Sequence, residues 1–262
     1  MTIFKHEWRR GYRAWLIWTA SIGLLVILVN LIWPDMADST DSWTSAFQGL
    51  GAFGAAFGLD FLDLGDFLHF YGLEAMNILG IGGALYAAIT GMNSIAAEEG
   101  KHTAEFLFSH PVSRSRVLSQ KLTALLSFIM SQHLLITGGS LLSIRWIGES
   151  IDLPLFFLFH LGLMLLSLQI ALICFGLSAC LSQENLGLGI GLALLVYTLN
   201  IVGNMSDTVE SVRYLTPFAY AEPSDVLLEG RIDLGLLLPQ LAGALLVVFI
   251  GWRVFLRRDL RA

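Results

Sequence analysis

The sequence predicts an all-α membrane protein with six transmembrane helices and both termini on the cytoplasmic side. Three observations carry that expectation. Of the 262 residues, 55% are hydrophobic and only 14% are Asp, Glu, Lys or Arg, with a mean hydropathy of +0.70; a soluble domain carries about 25% charged residues. Six apolar stretches, 14–33, 73–96, 122–144, 153–181, 186–204 and 234–256, each approach the ~20 residues that cross a bilayer as a helix. The basic residues are also sorted by loop. Lys5, Arg9, Arg10 and Arg13 precede the first stretch, Lys101, Arg114, Arg116 and Lys121 follow the second, and Arg253, Arg257, Arg258 and Arg261 end the chain. With six crossings these three groups of four share one side and leave only Arg145, Arg213 and Arg231 of the 15 on the other, which marks the shared side as cytoplasmic.

Each element follows from its own residues. In TIFKHEWRRGYR, residues 2–13, Ile3 or Phe4, Trp8 and Tyr12 recur at helical spacing opposite the basic side chains. That pattern predicts a short amphipathic helix lying at the inner membrane surface, with its cations toward anionic lipid. WLIWTASIGLLVILVNLIW then makes the first crossing, closed by Pro34; no small-residue cleavage site follows a short core, so it reads as an uncleaved anchor. The outer segment 35–72 repeats Asp60, Asp63 and Asp66 every third residue among Phe and Leu, as in a short surface helix with an acidic edge. Its spacing is not that of a calcium loop.

The second crossing carries Gly80, Gly82, Gly83, Ala87 and Gly91, and the fifth carries Gly187 and Gly191. Small residues of this kind let helix backbones approach closely in lipid. Asn77, Asn93, Gln132, His133, His160, Gln169, Asn200, Asn204 and Gln240 fall at or near membrane depth and each needs a partner there, most simply on a neighbouring helix. No charged residue stands in mid-crossing, which leaves an ion-coupled transporter little to work with. Pro239 inside the sixth crossing is tolerated where neighbouring groups satisfy the freed carbonyl. Cys174 and Cys180 lie in apolar sequence without metal-ligand spacing and read as packing residues.

The cytoplasmic loop 97–121 is the one long polar interruption on that side. Glu98 and Glu99 end the second crossing, Gly100 permits a turn, and Thr103 can cap a short helix bearing Glu105, Phe106, Leu107 and Phe108. Pro111 suits the start of a further helical piece, and Ser113, Arg114 and Arg116 lead through Lys121 into the third crossing. The Phe106–Phe108 cluster is too apolar for a free aqueous loop, so it should dock on the bilayer surface or on a partner protein.

The string E-E-x-x-x-T-x-E-F-L-x-S-x-P-V-S-R, from Glu98 to Arg114, resembles the first cytoplasmic loop of ABC-2 type transporter permeases, in which a Thr precedes a Pro-Val-x-Arg group by eight residues, as Thr103 precedes Pro111. LTPFAY at 215–220 and FLRRDL at 255–260 resemble the family's segments before and after its last helix. One position departs: His102 stands where the family has Gly. The resemblance implies a single permease domain over 1–262 and a coupling helix in 97–121 that docks on an ATP-binding subunit. It implies contact through Glu98, Glu99, Thr103, Glu105, Phe106, Phe108, Pro111 and Arg114. It further implies a second permease subunit, outward transport and residence in the cell membrane. The chain has no G-x-x-x-x-G-K-[ST] phosphate loop, so ATP and its Mg belong to the partner; this chain would carry no cofactor, metal or catalytic residue of its own, and nothing suggests nucleic acid.

Two other readings start from the same residues. One is a non-transporting membrane anchor or assembly factor that recruits a cytoplasmic protein through the loop. The other is an intramembrane glutamate/histidine protease, suggested by Glu98-Glu99 followed by Phe106 to His110. Against the latter, Thr103 stands where that motif needs Arg, and neither His133 nor His160 has Asn four residues on. The six-crossing topology is tested with membrane-impermeant thiol reagents in a Cys174→Ala/Cys180→Ala background. Thr40→Cys should label in intact cells, whereas Thr2→Cys and Ala262→Cys should label only after permeabilisation.

Overall fold

A computed structural model describes residues 2–37, 54, 63, 65–96, 113–183, 185–205 and 207–257. Among them there is no strand, and six helices are long and apolar enough to cross a membrane. These are α1 (Thr2–Ala37), α2 (Phe67–Asn93), α3 (Arg114–Ile147), α4 (Leu153–Cys180), α5 (Leu186–Met205) and α7 (Leu234–Arg257), with the short α6 (Pro223–Glu229) in the connector before α7. The helix starts are set by local chemistry. Asp66, Ser113 and Asp152 cap α2, α3 and α4 by accepting from backbone N–H groups of the first turn. Gly148 and Gly230 end α3 and α6 at φ 82° and 64°, a conformation that costs glycine nothing.

The two middle helices are α2 and α4. In the most apolar 18 residues of each, 61% are buried, against 28% in α1 and in α5. They run in the same direction, with Tyr71 beside His160 and Gly83 beside Ser167. A Cβ on Gly91 would sit 2.8 Å from the backbone oxygen of Ala171, so only glycine permits this approach. α7 lies along α4 in the same sense, and there a Cβ on Gly176 would come within 2.6 Å of the carbonyl oxygen of Val247. α5 runs opposite to α2, its Gly189 seated against Met92 and Ala88. On helix α5 the close contact with α2 is therefore made by Gly189; among the described residues a Cβ on Gly191 would meet nothing within 4 Å and one on Gly187 only its own neighbour Asn185.

α1 and α3 run side by side in one direction over nearly their whole length. Phe4 meets Gln120, Trp15 meets Phe128, Asn30 meets Ser143 and Trp33 meets Glu149. The expectation of a separate surface helix over 2–13 is corrected here: residues 2–37 are one unbroken helix. The amphipathic pattern exists, but its apolar face covers α3. Trp8 packs on Phe128 with ring centroids 4.2 Å apart and donates its indole N–H to Ser127 Oγ at 2.9 Å. Lys5, Arg9, Arg10 and Arg13 stay exposed. Pro34 does not close α1 either. It lies in the last turn, where one missing backbone bond is cheap, and buried Trp33 holds the helix on course to Ala37.

Asp63 and Asp66 do not line the edge of a surface helix. Asp63 Oδ1 accepts from Gly65 N–H in a turn, and Asp66 Oδ1 accepts from Leu68 and His69 N–H at 2.8 and 3.1 Å as the cap of α2; Asp60 is outside the described residues. Inside α2, Met76–Gly80 is wound as a π-helix, a local widening that often accompanies a functional site.

A Gly176→Val variant should lose about 1–3 kcal/mol by forcing α4 and α7 apart. The check is the unfolding midpoint of the purified protein, with Gly138→Ala, where a Cβ meets nothing within 4 Å, leaving it unchanged.

Candidate functional site

The directions of the helices bring residue 2, the end of α2, the start of α3, the end of α4 and residue 257 to one end of the bundle. Bonds there tie five of the six long helices around the two roots of segment 97–112. The first root follows α2. Ser178 Oγ on α4 donates to the carbonyl of Met92 at 2.7 Å and accepts from the N–H of Ile95 and Ala96 at 3.2 and 3.0 Å. One buried hydroxyl thus satisfies three backbone groups that the end of a helix leaves without partners.

The second root precedes α3. Ser113 caps the helix, and Arg114 Nη1 donates to the carbonyl of Phe255 on α7 at 3.4 Å. Two turns along, Lys121 is 4% exposed and donates to Glu7 Oε1 on α1 at 2.7 Å and to the carbonyl of Ser94, just past α2, at 2.9 Å. A lysine that charge sorting alone would place in open cytosol therefore joins α1, α2 and α3 from inside. Beside it lies a cavity of about 220 Å³ lined by Glu7, Arg10, Trp18, Tyr86, Asn93 and Lys121 among others.

Of the coupling residues expected from the sequence, Arg114 is placed at the second root. Glu98, Glu99, Thr103, Glu105, Phe106, Phe108 and Pro111 lie outside the described residues. The polar side chains at membrane depth mostly find partners on neighbouring helices, as expected for interhelical bonds. His133 Nε2 pairs with Ser167 Oγ at 2.9 Å; His160 bridges the Tyr71 hydroxyl at 2.7 Å and Thr137 at 2.9 Å. Gln169 accepts from Tyr220 and meets Gln240, and Asn77 accepts from Tyr197. Gln132 is fully buried, and neither end of its amide has a partner among the described residues.

One functional candidate escapes sequence reasoning. The connector 207–233 looks like an acidic loop on the far side, yet Thr216 to Ser224 is buried within the bundle. Glu222 goes down with it, 5% exposed, and accepts from Asn200 Nδ2 at 2.7 Å and Asn204 Nδ2 at 3.2 Å. Burial pushes its carboxyl above the usual carboxylate range, and the two asparagine bonds offset only part of that. Arg213 binds Asp225 and the carbonyl of Ala219 nearby. The signal was present in two places: the apolar run LTPFAYA directly before Glu222, and Asn200 and Asn204 one turn apart on one face of α5.

A family model described as ABC-2 family transporter protein matches residues 1–260. None of the curated proteins matches the chain.

Replacing Lys121 by Met leaves the Glu7 carboxylate behind in a mostly buried position, at a cost of about 3–5 kcal/mol. Chemical or thermal unfolding of the purified protein measures it. Glu7→Gln added to Lys121→Met should recover a substantial part, because the stranded charge is then gone.

Proposed function

The chain belongs to the ABC-2 transporter family, and on that premise we propose that it is the permease subunit of an exporter driven by a separate ATP-binding subunit docked on segment 97–121. The observation that carries this reading is the tying of both roots of that segment into the bundle. A force on the segment enters through Ala96 and Ser113. From Ala96 it reaches α2 and α4 through Ser178, and from Ser113 it reaches α3, α7 and α1 through Arg114, Lys121 and Glu7. Each hydrogen bond at these roots contributes about 1 kcal/mol, and separating the buried ion pair costs several times that. A load of the order of thermal energy therefore moves the helices together rather than tearing the segment loose.

In this reading Glu98, Glu99, Thr103, Glu105, Phe106, Phe108, Pro111 and Arg114 form the contact surface for the ATPase. ATP and Mg are held by that partner, and this chain contributes no catalytic group. The membrane is the cell membrane, with both termini cytoplasmic. A second permease subunit completes the route, and the small-residue face of α5 at Gly187 and Gly191, exposed among the described residues, supports such pairing. The exposed cations of the first turns of α1 suit anionic lipid headgroups. Export is favoured over import by the family premise.

Glu105→Lys and Phe106→Asp should each abolish co-purification of the ATPase while the permease still inserts into the membrane at normal levels. A double variant that retains its ATPase in full would remove the docking role, and substrate-independent ATPase activity in the reconstituted complex would favour mere recruitment.

A further inference from the structure

Glu222 forms one wall of a cavity of about 20 Å³ at the end of the bundle away from the termini, together with Asn77 on α2 and Tyr197 and Asn200 on α5. The hydrogen bonds around this space leave it rich in acceptors. Asn200 Nδ2 faces the carboxylate at 2.7 Å, so its Oδ1 is turned away, buried and without a partner. Flipping that amide would set oxygen against carboxylate oxygen, which fixes the assignment. The Tyr197 hydroxyl hydrogen is engaged by Asn77 Oδ1 at 3.2 Å, and Asn77 Nδ2 by the carbonyl of Leu73 at 3.1 Å. What remains for an occupant is the Glu222 carboxylate and the spare lone pairs of Asn77 and Tyr197. The room suits a single water-sized particle.

We propose that this cavity binds one small monovalent cation, of sodium size, through the oxygens of Glu222, Asn77 and Tyr197. Water would satisfy two acceptors but leave a carboxylate's charge buried, which is costly unless it is paired. The nearby cation, Arg213, is bonded to Asp225 and the Ala219 carbonyl and attracts Glu222 only through space, without a direct bond to it. A single carboxylate balances one positive charge and leaves a divalent ion such as calcium only half compensated. Occupancy pins the connector 207–229 to α2 and α5 at once, so the ion acts as a closure for that end of the bundle. Protons compete for the same carboxylate. Arg213 and Asp225 face it from the connector and Tyr197 from α5, while α2 lines the space with neutral groups only. Because binding requires the ionised form, affinity is present above the raised range of Glu222 and is lost as pH falls through it.

The test is the unfolding midpoint of the full-length protein in detergent, titrated with NaCl against choline chloride at constant ionic strength. Sodium should raise the midpoint saturably and choline should not. Glu222→Gln should abolish the saturable rise, and Tyr197→Phe, which leaves both asparagine bonds to Glu222 in place, should raise the half-saturating sodium concentration about tenfold. Equal midpoints in sodium and choline would mean a water site only and overturn the proposal, as would a saturable rise that persists in Glu222→Gln. Should Glu222→Gln fail to fold, an unchanged half-saturation in Tyr197→Phe overturns it. Normal capture of the ATPase alongside no sodium response would sink this inference while leaving the docking role standing.

Discussion

Everything in this bundle hangs on how closely α2 and α4 approach each other. In lipid, no hydrophobic force drives helices together, so association rests on tight van der Waals packing and on polar groups that find each other. Gly91 lets α2 lie against the backbone of α4, and Gly83 makes room for Ser167 and His133. With that axis in place, α3 meets α4 through His133 and Thr137, α7 meets α4 at Gly176 and Gly251, and α5 meets α2 at Gly189. The outer helices are correspondingly less buried. α1 joins chiefly through α3, by a column of contacts from Phe4 to Trp33.

The same α2 serves both functional ends. Its last turn is gripped by Ser178 and Lys121 beside the proposed docking segment, and its upper part carries Asn77 into the acceptor-rich cavity beside Glu222. Between the two lies a backbone whose winding changes from π at Met76–Gly80 to α from Ile81 onward. Asn77 sits within the widened turn and reaches Tyr197 from there. The two ends are thus joined by one continuous element.

The six crossings were readable because each is a long apolar run and because the basic residues segregate in three blocks; both signals accumulate over many residues and tolerate local errors. What could not be read depended on which surface an apolar or charged group turns toward. The pattern of Phe4, Trp8 and Tyr12 announces an amphipathic helix but not whether its partner is lipid or α3. Lys121 looks like any flanking cation until Glu7 arrives from a helix more than a hundred residues away. Glu222 resembles the other acids of its connector, and only the descent of LTPFAYA into the bundle separates it from them. Asp66 was hidden by a repeat of every third residue, which a cap followed by a helix can mimic. The polar residues within crossings were easier, since hydrocarbon offers them no alternative to an interhelical bond.

The length of α1 and α3 has a mechanical corollary. Thirty-six residues of α-helix measure about 54 Å, well beyond a hydrocarbon core of about 30 Å. Trp33 to Glu149 and Asn30 to Ser143 lock the pair near one tip, and Glu7 to Lys121 locks it near the other. Two rods pinned at both tips resist slipping past each other and are braced to tilt as one beam. With the bilayer as fulcrum, a sideways stroke given to one tip would reappear, reversed in sense, at the other, like the two arms of a see-saw.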